Sequence, residues 1–368
     1  MASIDEFQGG SLCEIIPCGD KVIKRYSGPL IQGIDSLKRE CEWLQALPLT
    51  LTEKYPLLVP KVSNFIDNPG LTELHITRIN RISISKAIIL ERVTSRKVTE
   101  HLDTLLLFLK DYIYPTRSEI WDSIRIYEQY HYNRIINSRE YLKKIPELSG
   151  IIDANQVCVN GIECPSVNQF LKWLENIKST IFWGRKLVAI HGNFHFDNVL
   201  FDLNCPPSFD NLTLIDPRGD LIGPSHYDFS KLLLSLEAYY DEINYNMFEI
   251  SVKNHMKEIE ISINIDKRHS KTYKDCLPIL YKYLDKFADI EGVSKEDFLL
   301  SVGVVECIHL LSLCFYHAYR KNTFISRTQA YLAIFSLIAK RLINLWEFRQ
   351  GFIYPTERLK TGGLNNGN

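Results

Sequence analysis

Residues 190–220, IHGNFHFDNVLFDLNCPPSFDNLTLIDPRGD, contain the pattern that decides the fold of this chain. Two short apolar segments within it, Val199–Phe201 and Leu212–Ile215, predict β-strands. The residues between them are rich in Asn, Asp, Pro and Ser, which favour turns, so the two strands are predicted to form a hairpin. Asn198 precedes the first strand and Asp216 follows the second. The hairpin is therefore expected to bring these two polar side chains close together.

Asn198 and Asp216 are the strongest candidates for a metal site in the sequence. They supply an amide oxygen and a carboxylate, and hard oxygen ligands are what Mg²⁺ needs when the phosphates of a substrate supply the rest. The structural alternative is that Asn198 caps a turn and Asp216 only ends a strand. His191 and His195 are four residues apart, but the glycine between them favours a loop over a helical zinc site.

The segment resembles the catalytic core of the aminoglycoside phosphotransferase and choline kinase-like family, small-molecule kinases related to protein kinases. The family pattern is His-Gly-Asp-x-His-x-x-Asn, a short strand, a turn, and a second strand that ends in Ile-Asp. The chain matches it at His191, Gly192, His195, Asn198 and Asp216. The resemblance implies ATP and Mg²⁺ as cofactors, with Asn198 and Asp216 as metal ligands. It also places His195 near substrate or phosphate, although a purely structural loop histidine is the alternative.

Two further segments resemble parts of a nucleotide site. Gly9, Gly10 and Ser11 form a turn signal, and glycines allow backbone N–H groups to approach phosphates closely. In the family a similar loop covers the nucleotide phosphates, but an ordinary turn explains the same residues. A predicted strand that runs through Glu91 to Val93 resembles the hinge that contacts adenine through its backbone. An ordinary buried strand is again the alternative.

Lys24 resembles the strand lysine that binds the α- and β-phosphates in kinases. A glutamate on the following helix positions that lysine. We expect Glu40 to be this partner in preference to Glu42, because Arg39-Glu40 aligns best with the family pattern. The alternative is that these residues are ordinary surface charges.

The chain departs from the family at Asn193, where the family has the aspartate that serves as catalytic base. A side-chain amide cannot accept a proton from an alcohol as a carboxylate can. The residue is consistent with an engineered Asp→Asn variant, with a natural kinase in which Asp197 or Asp220 assists, or with a nucleotide-binding pseudokinase. The sequence does not choose among these, although the presence of Lys24 and Glu40 favours the first two.

The order of predicted elements indicates an α+β protein with a bilobal, protein-kinase-like fold. Residues 1–94 are predicted to form a small β-rich, nucleotide-binding N-lobe. Residues 95–350 are predicted to form a large helical C-lobe that carries the hairpin and the acceptor site. Within it, residues 226–348 are expected to be helical apart from two loops. Residues 351–368 are expected to be a partly disordered tail.

Composition narrows the range of partners. The chain has 368 residues, of which 45% are hydrophobic and 24% charged, and its formal net charge is −1. This charge gives no reason to expect a nucleic acid or a membrane surface as partner. No apolar run suggests a membrane span, and the N-terminus does not resemble a secretory signal. The nine scattered cysteines lack a Cys-x-x-Cys pair and predict free thiols in a reducing cytoplasm.

The expected acceptor is the hydroxyl group of a small molecule. A sugar or polysaccharide precursor is the first candidate, and choline, an amino alcohol or an aminoglycoside comes next. Residues 121–132 and Glu237, Tyr239 and Tyr240 are candidate linings, although they also suit a helix surface. Asp228 is expected to be structural, as an N-cap or as a brace for the catalytic loop. The sequence leaves the oligomeric state, and the choice between ATP and GTP, open.

Overall fold

The structure is a computed structural model of the chain. It describes residues 13–27, 31–121, 125, 127–182, 185–255, 258–319 and 324–347.

A four-stranded antiparallel sheet forms the first lobe. Its strands are β1 (Glu14–Cys18), β2 (Lys21–Tyr26), β3 (Val62–Asn68) and β4 (Leu71–Thr77), in the spatial order β1-β2-β4-β3. Helix α1 (Ile31–Ala46) follows β2 and packs on the sheet, and a short helix α2 (Leu49–Lys54) precedes β3. An apolar stripe of α1, formed by Leu37, Cys41 and Leu44, is buried. The period of three to four residues thus turns one face of the helix toward the core.

The chain leaves this sheet earlier than the sequence suggested. The two-residue strand β5 (Ile82–Ser83) pairs with the central hairpin of the second lobe rather than with β4. The predicted strand leading to Glu91 is wrong, because helix α3 (Ile84–Ile89) occupies its place. The Ser83 hydroxyl accepts a hydrogen bond from the backbone N–H of Lys86 and caps this helix. Its buried residues are spaced for a helix rather than for a strand.

The second lobe is mainly helical. Its helices are α4 (Ser95–Phe108), α5 (Asn133–Leu142), α6 (Pro146–Ile152), α7 (Val167–Ile181), α8 (Ser225–Leu236), α9 (Tyr240–Asn244), α10 (Ser270–Lys282), α11 (Leu284–Glu291), α12 (Lys295–Tyr319) and α13 (Ile325–Glu347). Helix α12 packs against α5, α8, α11 and α13 and lies at the centre of the core. The α+β class and the division into a small β-rich and a large helical lobe, predicted from the sequence, are confirmed.

Short strands complete the second lobe. They are β6 (Ser118–Trp121), β7 (Gln156–Val159), β8 (Ile162–Cys164), β9 (Arg185–Val188), β10 (Val199–Phe201), β11 (Leu212–Leu214), β12 (Phe248–His255) and β13 (Glu258–Ile265). The hairpin of β12 and β13 contradicts the expectation of continuous helix after residue 226. Alternate residues of β13 are buried, which is the period of a half-buried strand. This strand also pairs in parallel with β7, far away in the sequence.

Helix α12 contains a segment, Lys295–Ala318, that is long and apolar enough to cross a membrane by length and composition. In the structure 78% of its apolar window is buried inside the protein. Burial among other helices gives this segment the apolar surroundings that its composition requires. The segment is therefore accounted for as the central core helix of the second lobe.

Candidate functional site

The central hairpin places Asn198 and Asp216 side by side, as predicted. Strands β10 and β11 pair with Val199 opposite Leu214. One step further along, the backbone N–H of Ile215 donates to the carbonyl oxygen of Asn198 at 3.0 Å. Asp216 itself has a φ of 55°, in the left-handed region that few residues other than glycine adopt. Such strained conformations are found most often at functional sites.

Lys24 joins the three parts of the site. Its ammonium group donates to Glu40 Oε1 at 2.7 Å and Oε2 at 2.9 Å, and to Asp216 Oδ1 at 2.6 Å. The sheet, helix α1 and the hairpin therefore meet at one buried cation. Burial alone would lower the pKa of Lys24, but the carboxylates of Asp216 and Glu40 outweigh burial and raise it. Burial likewise acts to raise the pKa of Asp216, and the charge of Lys24 lowers it instead.

Asn193 also contacts Asp216. Its side-chain N–H₂ group donates to Asp216 Oδ2 at 2.9 Å and to the backbone oxygen of Asp216 at 3.1 Å. Both carboxylate oxygens of Asp216 therefore have a donor. An aspartate at position 193 would face this carboxylate with a like charge, so the amide suits the arrangement that the structure adopts.

Asn198 is held so that its amide oxygen remains available. Its N–H₂ group donates to the backbone oxygen of Asn193 at 2.8 Å and lies 3.2 Å from His195 Nε2. Among the described residues no group of three or more His, Cys, Asp or Glu side chains could hold a metal ion. An amide oxygen beside the carboxylate of Asp216 does fit Mg²⁺ when phosphate oxygens complete the ligand set.

The surroundings of His195 and Asp197 do not suit the role of a base. His195 is buried with its ring 4.7 Å from that of Tyr240, and burial lowers its pKa to about 3. A neutral imidazole there positions Asn198. The carboxylate of Asp197 accepts a hydrogen bond from Ser83 at 3.3 Å, and burial raises its pKa. The structure thus brings Asp197 to the start of α3 rather than to Asn193.

Asp228 braces the loop that contains His191 and Gly192, as expected. Its carboxylate accepts hydrogen bonds from the backbone N–H of His191 at 3.0 Å and of Gly192 at 2.6 Å. The hydroxyl of Tyr114 adds a third contact at 3.3 Å. Burial raises the pKa of Asp228 to about 7, although these donors act in the opposite direction. The loop conformation is therefore fixed by α8 beneath it.

Helix α1 contacts the same loop from the other lobe. The indole N–H of Trp43 donates to the backbone oxygen of Ile190 at 2.7 Å. Gly219 has a φ of +87°, and a Cβ atom there would lie 2.4 Å from the backbone of Arg39. Only glycine allows such a close approach. These two contacts hold Glu40, which lies between Arg39 and Trp43 on α1, beside the hairpin.

Other predicted residues lie elsewhere. Gly9, Gly10 and Ser11 are outside the described residues. Glu91 and Val93 follow α3, and none of the described contacts joins them to Lys24 or Asp216. Their role in nucleotide binding therefore stays a prediction.

Lys231 is not among the site residues predicted from the sequence. Every residue of α8 is buried, and Lys231 interrupts the apolar part of that helix. A single lysine in an apolar helical run was the signal that would have found it, because charged residues are rarely fully buried unless they are paired.

The comparisons with known proteins do not assign a family. No family model matches the chain, and no curated protein matches it. Fifty-four chains of solved structures are similar to it. One is the aminoglycoside phosphotransferase APH(3'')-Id from Streptomyces rimosus, solved with ADP and streptomycin. It is 11% identical, with a TM-score of 0.40 over 81% of this chain and 94% of that chain. A likeness of this size supports no conclusion about activity, so the function is argued from the site.

Proposed function

We propose that the protein is a phosphotransferase that moves the γ-phosphoryl group of ATP to a hydroxyl group of a small molecule. The observation that carries the proposal is the network of Lys24, Glu40 and Asp216, in which Lys24 and Glu40 are buried, Asp216 is partly exposed, and the contacts measure 2.6 to 2.9 Å. Phosphoryl transfer needs positioned positive charge and a metal site more than covalent chemistry from the protein. A lysine fixed between a helix glutamate and a metal-binding aspartate supplies both.

Each residue has a defined part in this proposal. Lys24 would bind the α- and β-phosphates, and Glu40 would position Lys24. Asn198 and Asp216 would hold Mg²⁺, which when bound neutralises charge on the β- and γ-phosphate oxygens. Each carboxylate oxygen of Asp216 accepts a hydrogen bond from Lys24 or Asn193, and each keeps a further lone pair with which it could bind the metal.

The adenine site is proposed at residues 78–81. Strand β4, which ends at Thr77, belongs to the first lobe, whereas β5 pairs with the hairpin. Residues 78–81 therefore connect the first sheet to the hairpin, and we propose a lobe boundary near residue 80 as an alternative to the predicted boundary at residue 94. Arg81 ties this segment to the hairpin by donating to the Thr213 hydroxyl and to the backbone oxygen of Asp210, both at 2.7 Å.

Asn193 would orient the acceptor rather than deprotonate it. The acceptor oxygen forms a bond to the γ-phosphorus as the bond between that phosphorus and the leaving ADP oxygen breaks. The hydroxyl proton is released to water, since position 193 offers no carboxylate. A loose transition state requires little help from a base.

A sugar or polysaccharide precursor remains the first candidate acceptor, before choline-type molecules and aminoglycosides. We also propose a cytoplasmic location, because the nine cysteines are scattered and lack a Cys-x-x-Cys pair.

A nucleotide-binding pseudokinase is the second candidate. The specific observation in its favour is that the side chain of Asn193 cannot act as a base and instead donates a hydrogen bond to Asp216. In this alternative the protein would bind ATP with Mg²⁺ and act through a partner, without turnover.

Nucleotide binding is the first test. Calorimetry would compare the protein with Glu40→Gln and with the matched control Glu42→Gln, whose glutamate is exposed on the same helix. We expect Glu40→Gln to weaken Mg²⁺-dependent ATP binding about tenfold or more, because Lys24 loses the partner that positions it. Glu42→Gln should bind normally. If neither the protein nor the control binds ATP, the proposal is wrong.

Turnover separates the two candidates. ATP consumption would be screened against sugars, amino alcohols and aminoglycosides, with the protein and the variant Asn193→Asp side by side. Turnover by both proteins supports an enzyme that does not depend on a carboxylate at position 193. Turnover by the variant alone supports an enzyme disabled at the base. ATP binding with no turnover by either protein favours the pseudokinase.

A further inference from the structure

Three cationic side chains gather around one tyrosine beneath the catalytic loop. The guanidinium group of Arg134 donates a hydrogen bond to the hydroxyl of Tyr227. The guanidinium carbon of Arg218 lies 4.8 Å from the centre of the same ring. Lys231 is one turn further along α8, so it shares a helix face with Tyr227. We call these three residues, Arg134, Arg218 and Lys231, the basic cluster.

Lys231 is the least satisfied member of the basic cluster. It is only 5% exposed, and no hydrogen bond or ion pair of its ammonium group occurs within the described ranges. Burial lowers the pKa of Lys231 well below its usual value, and the charges of Arg134 and Arg218 lower it further. A buried ammonium group without a partner is strongly disfavoured. The site is therefore built for a negative charge that comes from outside the chain.

The nearby carboxylates do not fill this requirement. Both carboxylate oxygens of Asp228 accept hydrogen bonds from the backbone N–H groups of His191 and Gly192. Asp216 is bound by Lys24 and Asn193. Among the described carboxylates only Asp220 contacts the basic cluster directly, through Arg218 Nε at 2.8 Å.

One guanidinium nitrogen of Arg218 is available to donate further hydrogen bonds. Its Nη1 atom is buried and has no hydrogen-bond partner in the part of the chain that the structure describes. The two arginines of the basic cluster thus carry two positive charges against one directly bound carboxylate, and an anion bound beside Lys231 would favour its protonation and add a third charge.

The basic cluster adjoins the position where an acceptor would react. The backbone N–H of Arg218 donates to the backbone oxygen of His191 at 2.9 Å. A Cβ atom on Gly192 would lie 2.8 Å from Arg218 Cβ. Arg218 therefore packs against the residue that immediately precedes Asn193. A molecule with its hydroxyl group at Asn193 has the basic cluster as its neighbour.

We propose that the acceptor carries an anionic group, a carboxylate or a phosphate monoester, which binds to Lys231, Arg218 and Arg134. The inference rests on the proposed phosphotransferase function and names the chemical class of its acceptor. Arginine and lysine together form strong charge-assisted hydrogen bonds with either oxyanion. Asn193 agrees with this assignment, because an aspartate there would repel an anionic acceptor whereas an amide does not.

Direct binding of anions tests the proposal. The protein would be saturated with Mg²⁺ and a non-hydrolysable ATP analogue, so that the nucleotide site is filled. Calorimetry would then measure the binding of inorganic phosphate, of glucuronate and of the neutral analogue glucose. We expect at least one anion to bind, and glucose to bind at least tenfold more weakly than that anion. Phosphate alone would identify a phosphate monoester acceptor, and glucuronate alone a carboxylate acceptor.

Two variants locate the binding site. Lys231→Met is expected to weaken anion binding at least tenfold while its unfolding temperature is not lowered, since it replaces an unpaired buried amine by an apolar side chain. Lys172→Met makes the same charge change at an exposed position of α7 and should bind anions as the unaltered protein does. Equal anion binding by Lys231→Met, or binding of neither anion, would overturn the proposal.

The two proposals fail separately. If the ATP analogue does not bind, the phosphotransferase proposal fails, and the anion titrations are repeated without nucleotide. Anion binding that depends on Lys231 then shows an anion site in a protein that is not a kinase. Absence of such binding overturns the assignment of the basic cluster as well.

Discussion

Lys24 and Lys231 are buried to nearly the same degree, at 7% and 5% exposure, but their surroundings are opposite. Lys24 has two carboxylate partners, Glu40 and Asp216. Lys231 has none among the described residues. The pKa of Lys24 is raised even though burial acts to lower it, whereas the pKa of Lys231 is lowered by burial and by neighbouring arginines. Burial alone therefore does not decide the state of a lysine in this protein; its partners do.

The comparison also separates two functions of buried charge. The partners of Lys24 come from helix α1 and from the hairpin, so its charge holds the two lobes together before any nucleotide arrives. The amine of Lys231 joins no two elements by a hydrogen bond or an ion pair in the described structure. A group that is kept at a free-energy cost without a structural return is a candidate for binding.

The largest expected effect is the difference in the free energy of unfolding between the variants Lys24→Met and Lys231→Met. Lys24→Met leaves Glu40 buried without its partner, and we expect the free energy of unfolding to fall by about 3–5 kcal/mol. Lys231→Met replaces an unpaired buried amine by an apolar side chain, so we expect no loss or a gain of about 1–2 kcal/mol. Urea unfolding of the two variants measures both values. Similar losses in the two variants would show that Lys231 has a structural partner after all.

Unfolding in acid should test a third buried cation, Arg185, which has a carboxylate partner as Lys24 does. Arg185 donates to Glu291 at 2.8 Å, and both side chains are buried. Burial alone would raise the pKa of Glu291, but His226 and Arg185 lower it to about 2. Because the folded pKa is depressed, this stabilisation is fully present above the unfolded pKa of about 4.3 and is lost as the pH falls toward 2.

The expected size of this loss is about 3 kcal/mol between those pH values. Urea unfolding at a series of pH values would measure it in the protein and in Glu291→Gln. The variant cannot titrate at this position, so its stability should depend less steeply on pH in the acid range. The same steepness in both proteins would mean that other carboxylates dominate acid unfolding.

The contact between α1 and the hairpin decides whether Lys24 keeps Glu40. Gly219→Ala would place a methyl group 2.4 Å from the backbone of Arg39, at a φ of +87°. We expect a loss of stability of about 2–3 kcal/mol from clash and strain together. Gly70→Ala is the control, because its φ is +84° and nothing lies within 4 Å of the added atom.

Gly70→Ala should therefore report the conformational strain alone, about 1 kcal/mol. ATP binding provides a second measurement, since only the change at Gly219 displaces α1 from the hairpin. Equal effects of the two variants on stability and on ATP binding would show that the close approach of Arg39 is unimportant.

The smallest effect is expected from one hydrogen bond between the lobes. Trp43→Phe removes the indole N–H that donates to the backbone oxygen of Ile190 at 2.7 Å and keeps most of the aromatic packing. We expect a loss of about 1–2 kcal/mol, because the buried carbonyl oxygen loses its donor. Urea unfolding measures the change. No change would indicate that water replaces the indole N–H.

Several elements of this protein follow from local patterns. The hairpin of β10 and β11 requires only two apolar segments and a turn between them, so the proximity of Asn198 to Asp216 was predictable. The helix α7 has a local signal of the same kind, because it begins with a capping box between Ser166 and Gln169. In each case neighbouring residues carry the whole signal.

Two elements differ in type from the sequence prediction, which rested on the apolar character of their residues and not on the spacing of those residues. Helix α3 was taken for a strand, although the Ser83 cap and the spacing of its apolar residues favour a helix. The strands β12 and β13 were taken for helix, although every second residue of β13 is buried. The second error also reflects a long-range cause, since β13 gains a partner in β7 only after folding.

The sequence contained the identity and spacing of the candidate site residues, because a hairpin brings residues at its two strand ends together whatever surrounds it. Only the tertiary structure decided which charges have partners. Lys24 meets Glu40 and Asp216 because the sheet, α1 and the hairpin converge. Lys231 lies near Tyr227 and the two arginines, and its ammonium group has no carboxylate partner among the described residues. Burial and pairing depend on segments distant in the chain, so local patterns cannot report them.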